Sequence, residues 1–174
     1  MVIRQARPED AEAIARIMIA NWRATYAEQL SDDFLASLDP SLEAGRWRER
    51  MTRPAIAVRV AATDQVVGFV AAGPTFDRDL DPAASYQIYN LHVAETSRGR
   101  GIGKRLLEAA ARVGRDLGAS ELCLWVVPEN RRARQFYERA GLANDGTIQR
   151  EPVGSGATLE EVRYRGPIGP VATG

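Results

Sequence analysis

The residues best suited to bind an anion form a glycine-rich run between a predicted strand and a predicted helix. The run covers residues 98–104 and reads RGRGIGK. Glycines allow successive backbone N–H groups to converge on one anion, and the N-terminus of a helix adds the positive end of its dipole. Residues 98–105 also hold four basic side chains and no acidic one. The segment therefore predicts a phosphate-binding loop, against the simpler alternative of a tight turn that caps the helix.

The spacing of the glycines excludes two common phosphate loops. A Walker A loop needs glycine at position 98 and serine or threonine at position 105, where this chain has Arg98 and Arg105. A dinucleotide fingerprint G-x-G-x-x-G fails because its third glycine would fall on Lys104 or Leu106. The pattern that does fit is R-x-x-G-x-G, read as Arg98, Gly101 and Gly103.

The elements around this loop are predicted from hydrophobic periodicity and from turn residues. Helices are predicted over about 9–26, in one or two short pieces between 34 and 51, from the glycine loop to about 118, and from about 131 to 141. Strands are predicted at 55–62, 66–73, 86–94, 121–127, 143–150 and 158–165. Two strand–helix units in the middle imply neighbouring parallel strands in a sheet that is antiparallel elsewhere. The fold class is therefore α/β (α+β), with a single mixed and mostly antiparallel central sheet.

Composition limits the classes of protein that remain. The 174 residues suit one domain over 1–168, with a loose tail at 169–174. Lys plus Arg equals Asp plus Glu at 23 each, which disfavours a nucleic-acid partner. One cysteine, Cys123, and one histidine, His92, allow neither an internal disulfide nor a Cys/His zinc site. A charged N-terminus and the absence of an 18-residue apolar run predict no membrane association and a cytoplasmic location.

The R-x-x-G-x-G motif follows the strand triplet Leu91-His92-Val93, and two further segments continue the pattern. These are WVVPEN at 125–130 and ARQFYERAGL at 133–142. Together they resemble the two cofactor motifs of the GCN5-related N-acetyltransferase (GNAT) family, and the likeness covers nearly the whole chain. The resemblance implies the acyl-CoA N-acyltransferase fold, with helices on both faces of the sheet and a parallel strand pair at the cofactor cleft. It also implies acetyl-CoA (coenzyme A) as the cofactor and an acetyl-CoA-dependent N-acetyltransferase activity.

The resemblance assigns cofactor contacts residue by residue. It implies that the pyrophosphate lies on the backbone of residues 99–104, and that the pantetheine arm lies beside Leu91–Val93 like an extra strand. The cofactor-binding residues implied in this way are Leu91, His92, Val93, Arg98, Gly99, Arg100, Gly101, Ile102, Gly103, Lys104, Asn130, Ala133 and Tyr137. Asn130 also suits a helix N-cap, and the two roles are compatible.

The reaction that the resemblance implies is attack of a neutral amine on a thioester. Tyr137 occupies the position of the family's tyrosine, and its phenol would protonate the leaving thiolate. Many relatives have a glutamate base where this chain has Gln87, so a water positioned by Gln87 is expected to relay the proton. His92 is a second candidate for the base, and the acids of residues 76–85 are a third: Asp77, Asp79 and Asp81. These aspartates do not form a calcium loop, because Pro82 stands where glycine is needed.

The acceptor is an amine whose identity the sequence leaves open. Trp22, Tyr26 and Phe34 are predicted to line the substrate pocket, and the aspartates at 77–81 could form an acidic lip that attracts a cationic amine. A small-molecule amine is favoured slightly, with a protein or peptide amine as the alternative. A non-catalytic acyl-CoA sensor is the alternative from another class, and a homodimer is a further expectation from the resemblance.

Overall fold

A seven-stranded mixed sheet organises the chain, as seen in a computed structural model that describes residues 1–153 and 156–169. The strands are β1 Val2–Gln5, β2 Ala57–Ala62, β3 Val66–Pro74, β4 Ser85–Val93, β5 Glu121–Val126, β6 Ala143–Val153 and β7 Ala157–Pro167. Their order across the sheet is β1-β2-β3-β4-β5-β7-β6, and β4 with β5 is the parallel pair. The predicted mixed sheet with its one parallel pair is thereby confirmed.

Five α-helices cover the two faces of the sheet. They are α1 Ala11–Thr25, α2 Asp32–Ser37, α3 Pro40–Met51, α4 Ile102–Asp116 and α5 Arg131–Arg139. Strand alternation separates two apolar clusters, since Phe69 packs with α1 and α3 whereas the next residue, Val70, packs with α4. Burial of such a side chain contributes about 1.5–3 kcal/mol, so packing on the sheet stabilises both helical layers. None of the described helices is both long and apolar enough to span a bilayer.

Strands β4 and β5 pair over part of their length and then separate, and the candidate site lies where they separate. Their parallel pairing covers four residue pairs, from Ser85–Ile88 with 121–124. The register of β4 against β3 then shifts, because Ala71 pairs with Asn90 and Ala72 with Ile88. Tyr89 is left as the extra residue of a β-bulge, which bends the strand. Beyond it, β4 continues without a strand partner on the β5 side in the described part of the chain.

One strand differs from the sequence-based expectation, and one predicted segment falls outside the described residues. Strand β1 was not predicted, because its four residues lie at an edge and none of them is fully buried. An ion pair holds it in place: Arg4 Nη1 and Nη2 donate to the carboxylate of Asp10 at 2.6 and 2.8 Å. The predicted tail at 169–174 lies outside the described residues except for Gly169.

Candidate active site

A cleft of about 1160 Å³ lies where β4 and β5 separate. It is bordered by the end of α1, by the N-terminal turns of α4 and α5, and by β7. Most of the predicted cofactor residues line it: Leu91, His92, Val93, Arg98, Gly99, Gly101, Ile102, Gly103, Lys104, Asn130, Ala133 and Tyr137. Trp22 and Tyr26 line the same cleft. The volume is large enough for a ligand of nucleotide size.

The glycine loop leaves the first amides of α4 free to bind an anion. Gly99 and Gly101 have φ angles of 78° and 73°, in the left-handed region that costs other residues roughly 1–2 kcal/mol. Gly101 is the N-cap of α4, and no described side chain caps the amides that follow it. The N–H groups in the first turn of a helix have no intrahelical acceptor. The loop is therefore an anion site built mainly from backbone.

Arg98 ties the loop to the sheet and to α1. Its guanidinium donates through Nε to the carbonyl oxygen of Val93 at 3.4 Å, and through Nη2 to Oδ1 of Asn21. Asn21 Nδ2 donates in turn to the same carbonyl oxygen of Val93 at 3.2 Å. Asn21 is not among the predicted site residues, although an asparagine on the apolar face of α1, three residues after Met18, is a signal in the sequence.

His92 is neutral at physiological pH. Its ring lies 5.3 Å from the ring of Phe69, and its Nδ1 lies 3.3 Å from Asn21 Nδ2. Burial, assisted by the positive charge of Arg98, lowers the pKa of His92 to about 4. A group with so low a pKa is a poor acceptor for the proton of an amine, which weakens the candidacy of His92 as the base.

Helix α5 presents Tyr137 to the cleft from a rigid support. Asn130 Oδ1 caps the helix by accepting from the amide of Ala133 at 3.1 Å. On the sheet side, the buried hydroxyl of Tyr164 donates to Glu138 Oε1 at 2.7 Å and accepts from Arg134 Nε at 3.0 Å. The Tyr137 side chain packs against this support and its residue is 8% exposed. Burial, and to a smaller extent Tyr26, raise the pKa of Tyr137, so that its hydroxyl stays protonated.

Three of the predicted site residues do not line the cleft among the described residues. Gln87 is buried, and its Oε1 accepts from Thr75 Oγ1 at 3.3 Å and from the amide of Phe76 at 3.0 Å. The amide oxygen of Gln87 thus fixes the chain after β3. Phe34 packs in a small apolar cluster over the ends of β5 and β7, and Arg100 is exposed.

Two of the aspartates after β3, Asp77 and Asp79, pair with a buried cation, Arg163. Arg163 on β7 is 3% exposed and donates to Asp79 at 2.7 and 2.8 Å, to Asp77 at 3.2 Å and to Asp145 at 2.7 Å. These hydrogen bonds lower the pKa of Asp79 to about 2. This one guanidinium offsets one of the three negative charges around it, and the acidic lip stays a prediction.

The cleft is basic where the loop and α4 form it. Six basic side chains line it: Arg98, Lys104, Arg112, Arg115, Arg132 and Arg139. Two acidic ones do so, Glu108 and Glu161. Glu161 was also missed by the sequence analysis, because a charged residue in an alternating strand ordinarily faces solvent. The free amides, the basic lining and the unpaired edge of β4 fit a ligand that carries phosphates and amides.

Comparison with known proteins identifies the fold and its cofactor. The model of the acetyltransferase (GNAT) family matches residues 13–142. The chain belongs to this family. It is 30% identical over 168 residues to a protein described as a probable N-acetyltransferase of Mycobacterium tuberculosis, a match that covers 94% of this chain and 91% of that one.

Solved structures of GNAT proteins carry the same fold and hold coenzyme A or acetyl-CoA. The PaiA N-acetyltransferase of Thermoplasma acidophilum in complex with coenzyme A matches with a TM-score of 0.77 at 21% identity, over 95% of this chain and 98% of that one. The YncA protein of Salmonella typhimurium with acetyl-CoA matches with a TM-score of 0.70 at 19% identity, over 100% and 97%. These two likenesses show the fold, whereas membership of the GNAT family makes this chain an acetyl-CoA-dependent N-acetyltransferase.

Proposed function

We propose that this GNAT enzyme acetylates a small primary amine by direct attack within a ternary complex. One observation carries the proposal. The anion-binding loop, the Tyr137 side chain and the aromatic residues Trp22 and Tyr26 line one continuous cleft. Both substrates can therefore meet in it, and no covalent acetyl-enzyme is required. The one cysteine of the chain, Cys123, is buried, and burial raises its pKa to about 11, so that it is not a nucleophile at neutral pH.

One set of residues in the cleft suits binding of the cofactor, and another suits the transfer of protons. The amides of the first turn of α4 and the surrounding basic side chains suit the phosphates of the cofactor. The free edge of β4, from Tyr89 to Val93, suits the amides of the pantetheine arm. Acetyl-CoA supplies the thioester whose acetyl group is transferred. The Arg98–Asn21 contact keeps the loop and this strand edge in register with each other.

Tyr137 is assigned as the general acid. Its hydroxyl forms no hydrogen bond with a described residue, and its raised pKa keeps it protonated. A phenol of this kind can donate to a thiolate, whose conjugate acid has an ordinary pKa of about 8.5. For Gln87, a role in ordering a water stays a prediction. Since its Oε1 already accepts two hydrogen bonds, such a water would have to contact the amide nitrogen.

A small amine is preferred because an apolar segment, which we call the roof, packs on the sheet beside Trp22 and Tyr26, at the end of the cleft assigned to the acceptor. Leu30, between α1 and α2, and Leu35, on α2, belong to this segment. They pack with Val127, just after β5, and with Leu159, near the start of β7. Arg23 strengthens this roof by donating to the carbonyl oxygens of Leu35 and Leu38. A roof of this kind leaves a pocket, whereas a long peptide needs an open groove.

The experiment is a mass-spectrometric screen of acetyl-CoA with four classes of acceptor: polyamines, free amino acids, aminoglycosides and peptides with free N-termini. The proposal expects stoichiometric release of free thiol with at least one small amine. Acetylation of peptides alone would overturn the small-amine assignment. Binding of acetyl-CoA without acetylation of any class would overturn catalysis and favour an acyl-CoA sensor.

A further inference from the structure

Glu161 lies at the acceptor end of the cleft. It belongs to β7, where its neighbour Val162 pairs with Val126, the last residue of β5. Along β7, alternate residues face opposite sides of the sheet. Leu159 packs with Leu30 and Leu35. Glu161 lies two residues further along β7 on the same face of the sheet, where it lines the cleft. The side chain is half-buried there.

The neighbours of Glu161 hold one oxygen of its carboxylate and leave the other without a protein partner. Gln149 Nε2, on β6, donates to Oε2 at 2.9 Å. Within the described residues Oε1 accepts no hydrogen bond. Burial, with a smaller contribution from the nearby charge of Glu161, raises the pKa of Tyr26, at the C-terminal end of α1, to about 12. The acidic neighbour of Glu161 on β6 is Glu151. One carboxylate oxygen is thus fixed and the other is available.

No other carboxylate among the described residues lines this end of the cleft. Glu108 is on α4, one turn after the glycine loop, and its Oε1 lies 3.9 Å from Lys104 Nζ. The three aspartates around Arg163 are committed to that guanidinium. His92 has the low pKa described above, and Gln87 cannot take up a proton at neutral pH. Among the described residues, the acceptor end of the cleft, lined by Trp22 and Tyr26, therefore contains one proton acceptor, the Glu161 carboxylate.

We propose that Glu161 is the general base that takes the proton from the ammonium form of the acceptor. This inference rests on the proposed function. The Glu161 carboxylate accepts one proton from R–NH₃⁺, which leaves the neutral amine. The nitrogen lone pair then forms the C–N bond at the thioester carbonyl, and the C–S bond breaks as Tyr137 gives its proton to sulfur. The second proton of the nitrogen returns to the Tyr137 phenolate, and Glu161 releases its proton to solvent.

The surroundings of Glu161 suit this role. Burial, and to a lesser degree the negative charge of Glu151, raise the pKa of Glu161, whereas the hydrogen bond from Gln149 lowers it. A raised pKa makes the carboxylate a better proton acceptor than one in water. Because the ionised form is the active one, activity is expected to be lost as the pH falls through this pKa.

The test compares E161Q with E161D and with E160Q as the matched control. Glu160 is the preceding residue, is exposed, and lies 3.7 Å from Arg150 outside the cleft. With the best amine from the screen, E161Q is expected to lose about 100-fold or more in kcat/KM at pH 7, the scale of general-base catalysis. E161D should recover part of that loss, and E160Q should match the wild type.

The pH profile distinguishes a base from a residue that only shapes the pocket. The wild-type profile should level off once Glu161 is ionised, whereas the E161Q profile should keep rising towards the pKa of the free amine, about 10. A deficit in E161Q that is the same at every pH would overturn the proposal. So would an E161Q variant as active as E160Q. Coenzyme A binding and thermal unfolding, measured on each variant, exclude misfolding, and a wild type inactive on every amine would overturn the proposed function instead.

Discussion

Replacement of Tyr137 by phenylalanine isolates the proposed proton donor. The substitution removes one oxygen atom and leaves the ring, which packs between Phe136 and Tyr164 with ring centroids 5.2 and 6.4 Å away. Because the hydroxyl has no hydrogen-bond partner among the described residues, its loss leaves no buried polar group unsatisfied. The free energy of unfolding should therefore change by less than about 0.5 kcal/mol.

The catalytic effect of the same change should be much larger. General-acid catalysis contributes about 100- to 10,000-fold, which corresponds to roughly 2.7–5.4 kcal/mol in the activation free energy. The loss should fall on kcat, while the dissociation constant of coenzyme A should change little, because the loop that binds the phosphates is untouched. Thiol release measured with a chromogenic disulfide gives kcat, and calorimetry gives the dissociation constant.

Tyr86→Phe provides the matched control for this experiment. The Tyr86 hydroxyl is also buried without a hydrogen-bond partner, but it lies in the core against α4 and does not line the cleft. Its removal should leave kcat unchanged. If Y137F were as active as Y86F, proton donation by Tyr137 would be refuted. A parallel loss of kcat and of coenzyme A binding would show that the ring had moved.

Three further predictions concern stability. Arg163→Met should lower the free energy of unfolding by about 3 kcal/mol in a urea titration, because it strands the carboxylates that this buried guanidinium pairs. The pKa of Asp79 is held at about 2, below its ordinary value of 3.8. The contribution of Asp79 to stability is therefore present above pH 4 and is lost as the pH falls towards 2, and R163M should lose less stability than the wild type over that interval. Gly114→Ala should lower the melting temperature, because the new Cβ would lie 2.8 Å from ring atoms of Tyr86. Gly45→Ala should raise it, because alanine favours the helix and the new Cβ would meet nothing within 4 Å beyond its own stretch of helix backbone.

The cofactor half of the site could be predicted from the sequence because it depends on local chemistry. A glycine in the left-handed region before a helix is determined by neighbouring residues, and so is an asparagine that caps the next helix. The strand and helix order around residues 86–142 follows from periodicity in the same way. The family match over residues 13–142 confirms the family that these motifs suggested, and the individual cofactor contacts stay predictions.

Apart from Trp22 and Tyr26, the acceptor half could not be predicted, because it depends on pairings between residues that are far apart in the chain. The Arg98–Asn21 contact joins positions 77 residues apart, and the Arg163–Asp77 contact joins positions 86 apart. The sequence shows the aspartates after β3, but it does not show the buried arginine of β7 with which they pair. Glu161 was overlooked for the same reason: its place in the cleft depends on where β5 ends and α1 passes above it.

The sheet consists of two antiparallel halves that are joined by the short parallel pairing of β4 with β5. Strands β1 to β4 are joined by antiparallel pairing on one side, and β5 to β7 on the other, while four residue pairs connect β4 to β5. A ligand that hydrogen-bonds to the free edge of β4 and contacts the start of α5 spans this seam. A cofactor bound in this way would also brace the seam between the two halves of the sheet, so we expect the sheet to be most rigid when the enzyme is ready to react.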